Sequence, residues 1–193
     1  MPEKEVEIFY PPTQTAWREW LAENHLSKQS VWVIFHSKSS GRPTLSWSDA
    51  VDEALCFGWI DSKKVSIDKE TSQQFFCKRK PNSTWSKINK DKVERLIAQG
   101  LMAPAGLLCI EIAKQNGSWT ILDEVEQLII PDDLESEFAN KPIAKDFYLG
   151  LSKSMKKSIL QWLVMAKTTE TRQKRITEIL ESAEQQLKPK HLR

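Results

Sequence analysis

The spacing of hydrophobic and polar positions changes character near Trp119. Before that point, short β-branched and aromatic runs alternate with helical stripes; after it, only helical stripes remain. EIFY (7–10) predicts a short strand closed by Pro11 and Pro12. In TAWREWLAENH, Trp17, Trp20 and Leu21 recur at i, i+3, i+4, and Thr13 or Thr15 supplies a cap. VWVIFHSK (31–38), bounded by SSGRP, is the clearest strand. Ser46-x-x-Asp49 then opens a capped helix with Ala50, Val51, Ala54 and Leu55 on one face. SKKVSID (62–68) and SQQFFCK (72–78) predict an antiparallel hairpin. A further helix, capped by Asn89, carries Val93, Leu96 and Ile97 and stops at Gly100; Pro104 suits the first turn of the next, which ends near Asn116-Gly117.

Beyond Trp119, IPDDLESEFAN, IAKDFYLGL, SKSMKKSILQWLVMAK and TETRQKRITEILESAEQQL all read as helices. The third repeats apolar residues at Met155, Ile159, Trp162, Leu163 and Ala166, the fourth at Ile176, Ile179, Leu180, Ala183 and Leu187. Strands and helices followed by helices alone predict an α+β fold with a small, mainly antiparallel sheet and an all-helical C-terminal region. The expected division is an α+β domain over 1–118 and a helical region over 119–193, whether separate or packed on the first.

Composition narrows the function classes. Hydrophobic residues are 40% and charged residues 28% of the chain, the balance of an ordinary globular protein. No apolar run approaches the roughly 20 residues of a membrane span, and the N-terminus lacks the basic-then-apolar order of a leader. A cytoplasmic setting is the expectation. Three cysteines without CxxC spacing and three scattered histidines carry no disulfide framework and no metal site. No cofactor signature is present. Residues 119–140 hold seven acids and no Lys or Arg, whereas 141–193 hold 12 Lys+Arg against five Asp+Glu. Those cations are interleaved with apolar helix positions, which points to solvated or paired faces and disfavours nucleic acid.

Two stretches carry candidate chemistry. In CFGWIDSK (56–63), Cys56 lies at a helix C-terminus with Asp52 and Glu53 on its face, and both effects disfavour a thiolate. Gly58 is placed to end that helix in the left-handed conformation. Trp59 and Asp61 then fall in the connection to the next strand. Trp59 serves either the core or a ligand; Asp61 serves either a turn or a site. In KRKPNSTWSKIN (78–89), Arg79, Lys80, Ser83, Trp85, Ser86 and Asn89 combine cations, hydroxyls, a flat ring and a helix start. Those are the parts of an anion site, or of a basic turn with a buried indole. No P-loop, GxSxG, HExxH or calcium-loop pattern occurs.

AVDEALCFGWIDSKK, RKPNSTWSKINKDKVERLIAQGLMAPAG and AKTTETRQKRI together resemble the YdeI/OmpD-associated family of bacterial proteins, in order, from about Trp17 to Ile179. The family's typical strings place a glycine after WID where this chain has Ser62. The resemblance implies a link, by name, to bacteriocin protection and to an outer-membrane porin. Its matched positions are Trp59, Asp61, Arg79, Pro81, Ser83, Trp85, Ser86 and Asn89. The expectation is a protein that binds a small anionic ligand or a protein partner where the 59–63 turn meets the 79–89 loop. Alternatives are an enzyme with Asp61 as acid or base and Arg79 as anion clamp, or nucleic-acid binding through the basic C-terminal helices.

Overall fold

A computed structural model describes residues 6–193. The first five, part of the stretch that lacks a leader pattern, lie outside the described residues. The architecture is α+β, in two compact units, Met1–Trp119 and Thr120–Arg193.

The first unit is built on a four-stranded sheet in the order β1-β2-β4-β3. Its strands are β1 (Ile8–Phe9), β2 (Ser30–His36), β3 (Trp59–Ser66) and β4 (Thr71–Lys78). Only the short β1 runs parallel to its neighbour; β2, β4 and β3 are antiparallel. The hairpin therefore forms as the alternation requires, but β3 begins at Trp59 rather than at Ser62. Trp59 and Asp61 are strand residues, and the reason is pairing: Trp59 sits opposite Lys78, and Asp61 opposite Phe76.

Helices α1 (Gln14–Asn24), α2 (Trp47–Cys56), α3 (Lys87–Ala98) and α4 (Pro104–Gln115) complete this unit. Thr13 caps α1 by accepting from the Ala16 amide, and Ser46 caps α2 by accepting from Asp49. Ser86, not Asn89, caps α3; the Asn89 amide donates to its hydroxyl. Ser86 has the extended backbone a cap needs, whereas Asn89 already lies inside the helix. Trp17 is fully buried, donates to the Ala50 carbonyl at 3.0 Å and meets Phe76 of β4 at 5.3 Å, locking α1 and α2 onto one sheet face.

Helix α2 is buried at every position from Ala50 to Cys56, acids included. Asp52 binds Lys92 and Arg95 of α3, while Glu53 binds Arg18 and Gln14 of α1. A buried carboxylate survives only when paired in this way. Gly58 follows α2 with φ +73°, and a Cβ there would stand 2.7 Å from Cys109 Sγ.

The second unit comprises α5 (Asp123–Glu126), α6 (Asp132–Ala139), α7 (Pro142–Gly150), α8 (Lys153–Val164) and α9 (Thr169–Glu184). Leu134, Phe138, Tyr148, Ile159, Leu163 and Ile176 are among its buried centre. The four-residue α5 has too few positions to show a period, so the sequence pattern misses it. The charge asymmetry noted above is resolved here by pairing. Arg172 grips Asp133 with two bonds, Lys157 reaches Glu126 and Lys145 reaches Glu135. The Arg172 bond holds the Asp133 carboxyl below its ordinary range, so the pair stabilises the fold above the unfolded carboxyl pKa and is lost as pH falls through the folded value. Asp133→Asn is expected to cost under about 1 kcal/mol at neutral pH, since the pair is solvent-accessible. Urea melts of variant and parent should converge at acid pH, once the folded-state carboxyl is protonated too; a gap that persists there would refute the pairing.

Candidate functional site

A bulge in β3 creates the most useful surface of the first unit. Asp61 pairs with Phe76 and Lys64 with Gln74, so two residues, Ser62 and Lys63, are accommodated opposite Phe75. The extra residue restores the alternation, and Lys64 joins Asp61 on the helix-covered face. Toward Trp59 that face is closed by the core. Toward Ser66 it opens into a cleft of about 890 Å³. Phe35, Asp61, Lys64, Ser72 and Gln74 contribute its sheet side, Ser46 and Trp47 the start of α2, and Lys38 and the 68–71 turn the remaining rim.

Asp61 is half-buried at the base of this cleft. Its Oδ2 accepts the Trp47 indole N–H at 3.0 Å and the Gln74 amide at 3.2 Å; the same amide also bonds the Ser62 carbonyl at 3.0 Å. Both partners are neutral and both bonds fall on Oδ2, so the carboxylate is oriented without being neutralised. Trp47 is 52% exposed although its N–H is engaged, which presents a fixed aromatic surface. Among the described residues no cluster of three or more His, Cys, Asp or Glu is placed to hold a metal ion. A hollow of similar size, about 850 Å³, runs along α9, but its lining includes no aromatic side chain.

The predicted residues are thus divided among three places. Asp61 lines the cleft. Trp59 is fully buried, donating to the His25 carbonyl at 3.3 Å with its ring edge-on to Trp20. Arg79 and Trp85 lie outside the cleft as a stacked pair, the guanidinium carbon 3.6 Å from the ring centroid, with both side chains buried. Arg79 donates through Nη2 to the Thr84 carbonyl, while its buried Nε and Nη1 have no partner. Burial pushes this guanidinium down to about 10, opposed by Cys109, Asp61 and Cys77, and it stays charged at neutral pH. Ser83 closes a turn onto the Lys80 carbonyl, and Lys80 itself is exposed. Asn116 ties Pro81 and Asn82 to the end of α4. The 79–86 loop is a clasp joining β4 to α4.

The cysteines behave as their surroundings require. Burial pushes the Cys56 thiol up, and Glu53 and Asp52 add to this against an opposing bond from Arg18. Burial likewise raises Cys77 and Cys109. What the sequence reading missed is Trp47, Phe35, Gln74 and Lys64. Only Trp47 had a legible signal, an indole at the first position of a capped helix, where a side chain projects back over the preceding loop.

Comparison with protein-family models finds two matches. A domain of unknown function, DUF8412, matches residues 9–109. The model described as "Bacteriocin-protection, YdeI or OmpD-Associated" matches residues 127–186. The DUF8412 match spans more than half of the chain, which belongs to that domain family, and residues 127–186 are similar to the YdeI/OmpD-associated family. The Asp61 cleft and the Arg79 clasp both lie in the DUF8412 segment, whereas the YdeI/OmpD-associated segment covers α6 to α9. Neither the curated proteins nor the solved structures yield a match.

Proposed function

We propose that this chain is a small-ligand-binding protein whose site is the Asp61 cleft. The observation that carries the reading is a half-buried carboxylate, held only by neutral donors, beside an exposed and anchored indole. A concave site with a few convergent polar groups and an aromatic wall is the usual form of a small-molecule pocket. The ligand presents N–H donors to Asp61 and an anionic group to Lys38, Lys64 and Lys69, which share the cleft. Bacteriocin tolerance or envelope stress, in keeping with the description of the YdeI/OmpD-associated family, is the setting in which such binding would act.

A thermal-shift screen of nucleotides, sugar phosphates and amino acids tests this. A ligand present at about 100 times its Kd stabilises the native state by roughly 2.7 kcal/mol. At least one compound should raise the melting temperature of the parent and fail to do so for Trp47→Ala. If no compound shifts the parent, or every shift survives in Trp47→Ala, the cleft is not the site.

A further inference from the structure

We propose that the cleft takes a guanine mononucleotide, an inference that rests on the cleft being a ligand site. Three properties of the cleft, taken together, select this class. The first is size. A volume of about 890 Å³ is generous for a bare anion or a free amino acid and suits a ligand of nucleotide dimensions. The second is the wall. Trp47 is half-exposed while Asp61 holds its indole N–H, so the ring offers a flat surface whose orientation is already set. Planar heterocycles stack on such surfaces.

The third property is directional. Asp61 offers only acceptor atoms, and with Oδ2 occupied by Trp47 and Gln74 the remaining contact is at Oδ1. A base edge that meets it must present donors. Guanine does so with adjacent N1–H and N2–H₂ groups. Adenine sets the N1 lone pair beside its amino group, cytosine sets N3 beside its own, and uracil flanks N3–H with two carbonyls. Each therefore offers Oδ1 one donor with a lone pair beside it, a weaker match to the carboxylate than guanine's two adjacent donors.

Charge then decides between nucleoside and nucleotide. Lys38, Lys64 and Lys69 line the cleft and are exposed, so their ammonium groups are free to follow a phosphate. Two carboxylates share this rim: Asp68, which accepts from the Glu70 and Thr71 amides of its turn, and the exposed Glu70, so the phosphate is placed by the lysines against a mixed charge background. Lys64 lies on the same sheet face as Asp61, beyond the bulge. A base on Trp47 with its donor edge at Asp61 directs its phosphate outward along the rim.

Isothermal titration of the full chain with GMP, AMP, guanosine and inorganic phosphate tests the assignment. GMP should bind about tenfold or more tighter than AMP, a ratio set by the donor edge. Guanosine should bind more weakly than GMP, and the gap between them should shrink with added salt. Phosphate alone should give no detectable heat. Asp61→Asn should erase the preference for GMP over AMP. Lys64→Gln, an exposed change that leaves the fold intact, should weaken GMP and leave guanosine unchanged. Equal binding of GMP and AMP, a preference that survives Asp61→Asn, or absence of GMP binding each overturns the guanine assignment. If other compounds still bind in a Trp47-dependent manner, only the guanine assignment falls. If none does, the reading of the cleft as a ligand site falls with it.

Discussion

Gly106→Ala is expected to destabilise the first unit by roughly 3 kcal/mol, lowering its melting temperature by about 10 °C. Ordinary helix energetics point the other way, since alanine inside a helix is favoured over glycine by about 1 kcal/mol. The contact decides the sign. A Cβ on Gly106 would stand 2.2 Å from the Cys56 carbonyl oxygen, 2.7 Å from its carbon and 2.8 Å from the Leu55 carbonyl oxygen. All three are backbone atoms at the end of α2, so no side chain can swing aside. Relief requires lifting α4 away from α2, and that strains the Ala103 amide bond to the same Cys56 carbonyl. It also disturbs the neighbouring approach of Cys109 to Gly58. A thermal melt decides the matter: an unchanged or raised transition would mean that α4 does not pack there.

Much of this fold can be read from residue order, because its elements are specified locally. Thr13, Ser46, Gly58, Gly100 and Pro104 act within one turn of where they stand, so their roles follow from neighbours in sequence. The β3–β4 hairpin follows from alternation and a short turn. The cleft does not follow, since it depends on partners far apart in the chain. Asp61 meets Trp47 across 14 positions and Gln74 across 13. Lys64 faces the cleft only because of a bulge that leaves no compositional mark. Asp52 and Glu53 are legible as neighbours of Cys56, but their partners Lys92, Arg95 and Arg18 come from other helices and leave no local mark. Arg79 and Trp85 stand close in sequence and do meet, yet the meeting is a stack inside a clasp, outside the cleft that holds Asp61.

That clasp gives the other large effect. Trp85→Ala is expected to cost about 4 kcal/mol, within the range for emptying a buried indole site. Trp85 is 2% exposed and packs against Trp119 at 4.9 Å as well as beneath Arg79. Removing it does more than leave a cavity. The Arg79 guanidinium, already carrying two buried atoms without partners, would lose the aromatic face that compensates its charge. Arg79→Met should therefore change stability by less than about 1 kcal/mol, because the lost stacking and the Thr84 bond are offset by relief of the unpaired donors. The double variant should then be more stable than Trp85→Ala alone. Urea melts of the four proteins measure this coupling directly. Additive losses would show that Arg79 draws its stability from something other than the ring. Arg79→Met should also leave ligand binding at the Asp61 cleft unchanged, which separates the clasp from the site.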